Sequence, residues 1–386
     1  MKKRMTKSKI TVALLAVFLA NASIAAQNIT VYGGANRLLY DTKYFPSLYG
    51  EGNTPTVPSM GIKVGWKDRS ASPYAFICNR PEFGIALQVD GLAAADALNG
   101  PGLGNIYSVF GYFDRPLLTV KGFCLEYSAG YGLGFSFSKL YDPVSNPYNR
   151  LLSIPVNSHI QLGLQAKIDL SDKYYAGLGL WFNHNSNGAV NFPNRGTNAH
   201  LLALSIGMRN HRNSVFAAKP VDDGFRPGFQ FDVMLSGGVM SNEAYWDYCF
   251  DNTGGGDNRY YLKYAFTTDV MYKYCRTHAS GIGLDFFVTP FCKHISEYDG
   301  RGTDYEPMAF GVSIKHEMRY RNATLTAGLG RYIYDNDGIA RNKKYYQMVL
   351  IKYHFPALWN TYTGLVLKAH KFMAAESIQI SLGKSF

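Results

Sequence analysis

The chain has 386 residues, a formal net charge of +11 and only 17% charged residues, with 29 Tyr, 24 Phe and 39 Gly. This composition is unlike that of an ordinary soluble domain, yet no stretch reaches the roughly 18 consecutive apolar residues of a membrane-spanning helix. The five cysteines (Cys78, Cys124, Cys249, Cys275, Cys292) are odd in number and never spaced C-x-x-C, which argues against both a zinc centre and a disulfide framework.

The first element in chain order is a targeting segment. Lys2, Lys3, Arg4, Lys7 and Lys9 precede an apolar run of about ten residues and then the small residues of "NASIAAQ". Residues 1–26 are expected to be a secretory signal peptide cleaved near Ala26. Its loss takes the formal net charge from +11 to +6, a weak basic excess of a kind that suits phosphate-rich lipid.

From there the hydrophobic period is two almost throughout. In 123–138, Phe123, Leu125, Tyr127, Ala129, Tyr131, Leu133, Phe135 and Phe137 share one parity, while Glu126, Ser128, Gly130, Gly132, Gly134, Ser136 and Ser138 share the other. In 160–169, Ile160, Leu162, Leu164, Ala166 and Ile168 alternate with Gln161, Gly163, Gln165, Lys167 and Asp169. Leu262, Tyr264, Phe266, Val270, Tyr272 and Tyr274 oppose Lys263, Ala265, Asp269 and Lys273 in the same way. Successive strand side chains point to opposite faces, so each segment has one apolar and one polar face. The segments run to about ten residues or more, long for soluble strands and long enough to cross a bilayer at a tilt. The last segment, "SIQISLGKSF", puts Ile378, Ile380, Leu382 and Phe386 on one parity and ends in an aromatic. It resembles the terminal strand of bacterial outer-membrane barrels, the strand read by the barrel-assembly machinery.

The expected fold is therefore all-β: one transmembrane antiparallel β-barrel over residues 27–386, of about 14 strands within a range of 12–16, located in the bacterial outer membrane. Segments near 29–40 and 82–90 are short enough to be loop. One connection fits poorly, because 211–228 is long for a periplasmic turn.

The stretch "HNSNGAVNFPNRGTN", from His184 to Asn198, has the composition of an ordinary turn. Its flanks make it more specific. The apolar parity Leu178, Leu180, Phe182 continues to His184 and Ser186, and the parity Leu202, Leu204, Ile206, Met208 runs back through His200 to Asn198. His184, Ser186 and Asn198 then face lipid on two neighbouring strands, where polar groups are costly. Residues i and i+2 of a strand lie about 7 Å apart at Cα. A hairpin symmetric about Asn191 sets His184 opposite Asn198, about 5 Å apart at Cβ. That patch holds a nucleophile, a base and a group to orient the base.

The pattern His184-x-Ser186-Asn187, then Pro193-Asn194-x-Gly196 with a polar residue at 198, resembles the active-site segment of the lipid A 3-O-deacylase (PagL-like) family and related barrels described as acyloxyacyl hydrolases. The resemblance implies Ser186 as nucleophile, His184 as general base and Asn198 as the group orienting the histidine, where the family's deacylases carry Glu. It implies an oxyanion hole near Asn194 and the backbone N–H of Ala189, with Asn187 in support. It implies a serine esterase that removes a fatty acyl chain from lipid A without metal or cofactor, with lipopolysaccharide and the outer membrane as partners and no nucleic acid. The smaller family members are eight-stranded and this chain is about twice their size, so the family leaves the additional strands unexplained. The rival expectations are a non-enzymatic channel, from the charged lumen and the long segments 139–157 and 240–259, and a structural barrel descended from a deacylase. His200 is expected to be interfacial, and His159, His278, His294, His316, His354 and His370 to be scattered surface or lumen residues.

Overall fold

The computed structural model describes residues 27–39, 55–95, 102–147, 149–210, 217–295, 298, 305–338, 344–371 and 374–386. The signal-peptide expectation falls on residues 1–26, outside the described residues. Within the described residues the chain forms sixteen antiparallel strands that close into two barrels of eight.

The first barrel comprises β1 (Asn28–Leu38), β2 (Thr56–Lys67), β3 (Glu82–Asp90), β4 (Ile106–Val120), β5 (Phe123–Phe135), β6 (Val156–Asp169), β7 (Tyr174–Ser186) and β8 (Thr197–Arg209). The second comprises β9 (Gly228–Ser241), β10 (Tyr260–Cys275), β11 (His278–Val288), β12 (Met308–Tyr320), β13 (Ala323–Asp335), β14 (Tyr345–Phe355), β15 (Thr361–His370) and β16 (Ala374–Ser385). Two helices lie in connections, α1 (Pro73–Ile77) and α2 (Glu243–Thr253).

The single barrel of about 14 strands expected over 27–386 is thus corrected to two barrels of eight. A period of two assigns each residue to a face but does not name the strand's partner. Closure is decided by pairing between distant strands. β1 pairs with β8 from Asn28↔Arg209 to Leu38↔Ala199, and β16 returns to β9 from Ile380↔Gly237 to Ser385↔Asp232. The first seam is tight: a Cβ built on Gly34 would lie 2.0 Å from the Leu202 carbonyl oxygen, so only glycine fits there. The awkward connection before residue 228 is the link between barrels, not a turn within one. The doubtful segments are strands β1 and β3.

Eight strands leave an interior that side chains can fill, and here buried ion pairs share it with aromatic and aliphatic side chains, such as Trp181 and Phe110 in the first barrel and Phe287, Tyr346 and Met348 in the second. In the first barrel Lys63 Nζ sits 3.0 Å from Asp114 and donates to Ser128 Oγ, while Asp90 accepts from Asn36, Ser59 and Gln88 at 2.7–2.9 Å. In the second, Lys315 Nζ lies 2.5 Å from Asp269 and 3.0 Å from Asp285. Lys352 bridges Glu317 and Asp232 at 2.9 and 3.3 Å. All of these groups are buried. The outward parity is apolar and exposed, as at Leu178, Leu180, Leu202 and Leu204 of the first barrel and Ile282, Leu284 and Ile314 of the second. Each barrel carries its ion pairs inside and exposes an apolar outer face. No helix among the described residues is long and apolar enough to cross a membrane.

In the first barrel the shortest connections, 121–122 and 170–173, lie at one end; in the second the two-residue turns 276–277 and 321–322 share an end and the three-residue connection 371–373 lies at the other. The chain divides into two compact units. The first is residues 1–139, 155–185 and 197–221, and the second is 140–154, 186–196 and 222–386. The loop after β7 therefore belongs to the second unit.

Candidate active site

The β7–β8 hairpin carries the residues that the sequence singled out. Its register pairs Leu180↔Leu202, Phe182↔His200 and His184↔Asn198. His184 stands on the outward parity with Leu178 and Leu180, as does Asn198 with Leu202 and Leu204. Their side chains meet, with 2.7 Å between His184 Nδ1 and Asn198 Oδ1. An amide oxygen only accepts, so in this orientation the imidazole proton is on Nδ1 and Nε2 is the acceptor nitrogen. Ser186 is the last residue of β7, two beyond His184 on the same parity, and is buried. His200, one step along the outward row, packs its ring edge-on against Phe182 at 5.9 Å.

The opposite parity of this hairpin forms a supporting layer inside the barrel. Asn185 Nδ2 donates to Thr197 Oγ1 at 3.0 Å, and Asn185 Oδ1 lies 2.9 Å from His159 Nδ1, which is itself 3.2 Å from Ser108 Oγ. These bonds fix the two strands whose outer faces carry His184 and Asn198. His159, expected only to be a scattered surface or lumen residue, is buried in the lumen, and its bond to Asn185 was not evident from the sequence.

The loop 187–196 folds within the second unit. Gly188 and Ala189 both adopt positive φ, 63° and 67°. That conformation is easy for glycine and strained for alanine. The Asn187 backbone N–H donates to Asn194 Oδ1 at 3.0 Å. With its oxygen engaged, the Asn194 side chain has its Nδ2 as donor. Asn187 closes a local ring: Nδ2 donates to the Asn191 carbonyl at 2.8 Å, and Oδ1 accepts from the Asn191 N–H at 3.2 Å.

Residues distant in sequence hold this loop. Asn258 accepts from the Phe192 N–H at 2.8 Å, donates to the Phe192 carbonyl at 2.7 Å, and accepts from Ser241 Oγ at 2.6 Å. Tyr260 donates its hydroxyl to Asn191 Oδ1 at 2.5 Å, and the Ala189 carbonyl accepts from the Ser241 N–H at 2.9 Å. None of these partners was singled out from the sequence, because nothing local to 184–198 points to them.

A family model described as "Acyloxyacyl hydrolase, C-terminal domain" matches residues 229–386, the span of the second barrel. The 184–198 hairpin lies outside the match. No curated protein matches the chain. Among solved structures, the chain aligns over 89% of its length with 54% of a mutant ferric enterobactin receptor from Pseudomonas aeruginosa in complex with enterobactin, at 11% identity and TM-score 0.25. It therefore spans about half the length of that receptor. It also aligns over 93% of its length with 99% of a mutant Rh. blastica porin, at 8% identity and TM-score 0.17.

Proposed function

We propose that the chain, whose residues 229–386 match the model of the acyloxyacyl hydrolase C-terminal domain, is an outer-membrane serine esterase. Its substrate is lipid A, from which it releases an ester-linked fatty acyl chain at the β7–β8 hairpin. The observation that carries the reading is the 2.7 Å contact of His184 Nδ1 with Asn198 Oδ1 on an outward apolar face, with Ser186 two residues further along the same row.

The chemistry follows from that contact. Asn198 holds the imidazole so that Nε2 is the base. Ser186 Oγ gives its proton to Nε2 and attacks the acyl carbonyl. The Asn194 amide and the Ala189 N–H are the donors to the tetrahedral oxyanion. The sugar alkoxide leaves with the proton from His184, and water then hydrolyses the acyl-serine to release the fatty acid. An outward site suits this substrate because its acyl chain already lies in the membrane. The exposed apolar exterior, with the ion pairs enclosed, supports a membrane position. The site lies at the end opposite the short turns, which in outer-membrane barrels is the extracellular end, beside the lipid A leaflet. The buried ion pairs weigh against a channel, since a conducting pore needs a lumen open to water.

The test is mass spectrometry of lipid A incubated with refolded full-length chain. The wild type should remove one acyl unit and Ser186→Ala none, and the mass lost identifies the chain removed. Equal activity in both would sink the assignment of Ser186.

A further inference from the structure

A second outward-facing Ser–His arrangement exists on the second barrel, remote in sequence from the first. On β11, His278 and Ser280 share the outward parity of Ile282 and Leu284. On β12, His316 shares that of Ile314 and Met318. The register pairs Ser280 directly with His316. Ser280 Oγ is 2.9 Å from His316 Nδ1, and His316 Nε2 is 3.3 Å from His278 Nδ1. The two rings lie 5.3 Å apart and nearly parallel. The contacts use different nitrogens of His316, so one ring can accept the serine proton on Nδ1 while donating its Nε2–H to the second ring. That is the connectivity of a nucleophile, a base and a base-orienting group. Beside them Tyr272 stands opposite Ser280 in the β10–β11 register, outward and partly exposed, and offers a phenol hydroxyl.

The contrast with the lumen histidine is instructive. Ser108 and Asn185 both approach the same nitrogen of His159 inside the first barrel. That geometry holds a ring in place but passes no proton through it. Ser280, by comparison, is exposed on a lipid-facing row.

The geometry points to a second ester-hydrolysing site, with Ser280 as nucleophile, His316 as base, His278 as its positioning residue and Tyr272 as hydrogen-bond donor to the oxyanion. Its place in the fold assigns the substrate class. Ser280 lies beside the two-residue turn 276–277, at the short-turn end and therefore away from the lipid A leaflet. On the outer-membrane reading given above, the ester lipid at that depth is a glycerophospholipid. Ser280 Oγ bonds to the acyl carbon as its proton passes to His316 Nδ1. The glycerol oxygen leaves with that proton as the lysolipid. Water cleaves the acyl-serine, giving a fatty acid and restoring the hydroxyl.

The experiment uses the full chain in phosphatidylethanolamine mixed micelles and a fluorophosphonate that reacts with activated serines. In wild type and in Ser186→Ala, peptide mapping should find the phosphonate on Ser280, and His316→Gln should remove it. Fatty acid release from phosphatidylethanolamine should persist in Ser186→Ala and fall at least about 100-fold when Ser280→Ala is added. His278→Gln should lower kcat about tenfold at unchanged KM and shift the pH profile, whereas Tyr272→Phe should lower kcat alone. Unheated electrophoretic mobility reports that each variant is folded. No phosphonate on Ser280 of the folded wild type would overturn the proposal, as would release indifferent to Ser280→Ala. So would uptake of zinc by the two histidines with Ser280 unreactive. A failed Ser186 assignment leaves each of these readouts intact, so the two sites are tested separately.

Discussion

At the scale of single residues, the decisive atom is Asn198 Oδ1. It orients His184 as an acid would, but carries no charge to offset the imidazolium that forms when Ser186 gives up its proton. A hydrogen bond to an ionised acceptor is roughly twice as strong as a neutral one, and each 1.4 kcal/mol of added transition-state stabilisation is about tenfold in rate. Asn198→Glu is therefore expected to raise kcat on the order of tenfold. Asn198→Leu, which leaves the ring unoriented, should lower it at least about tenfold. Steady-state release of fatty acid from lipid A micelles measures both, and an order other than Glu, Asn, Leu would count against the role of position 198. The residues of this contact were readable from the sequence because parity and hairpin symmetry are local properties. What parity could not give was the rotamer that brings Nδ1 to Oδ1. Nor could it join Ser280 to His316. Each stood as a polar residue on an apolar row, which is a readable signal, but only the β11–β12 register sets one beside the other.

At the scale of the element, the loop 187–196 is where sequence reading ran out. Its glycine, asparagines and proline identify a turn, and the positive φ at Gly188 was within reach of composition. Its anchors were not. Asn258 lies 66 residues from Phe192, and Tyr260 lies 69 from Asn191. Each anchoring bond contributes about 1 kcal/mol net, and more is lost when a buried partner is left unsatisfied. Asn258→Ala removes both bonds to the Phe192 backbone. The expected result is a drop in kcat of about tenfold for lipid A deacylation, with the folded barrels unchanged in unheated electrophoresis. Asn187→Ala opens the ring closed on Asn191 and should cost as much again. If Asn258→Ala retains full kcat, the bonds to the Phe192 backbone are not what holds the loop in its active form.

At the scale of the whole molecule, strand count and strand partnership separate. The alternation implied about 14 strands where the described residues form sixteen, and the outward faces were legible because their positions are consistently apolar. Which strands close a ring depends on pairings such as β1 with β8, more than 160 residues apart in the chain, and those leave no local trace. Two closed barrels predict behaviour that a single wide barrel would not show. The lumens are packed with ion pairs, so the protein in a planar bilayer should give no stepwise conductance. Lys315 bridges Asp269 and Asp285, and Lys315→Met should destabilise the second barrel by about 3–5 kcal/mol by stranding buried charge, as read from its urea midpoint.

The link between the barrels supplies the sharpest discrimination. Gly224 lies in it between β8 and β9, and a Cβ built there would meet nothing within 4 Å. Gly224 has a φ of 66° that favours glycine, so a protease site inserted directly after it, with the glycine kept, should be accepted and cleaved without disturbing either ring. Each ring draws its closing hydrogen bonds from its own strands. Cleavage of the folded protein should then yield two fragments, meeting at residue 224, that each keep the compact, heat-sensitive mobility of a closed barrel after separation. In a single barrel the same cut would fall in one connection, leaving all the strands in one ring that runs as one species until heated. Loop 187–196 is bonded to Asn258 and Tyr260 across the cut, so the cleavage is made in Asn258→Ala with Tyr260→Phe: fragments that then separate in folded form would show two closures, whereas one species persisting until denaturation would favour the single ring that the alternation alone had implied.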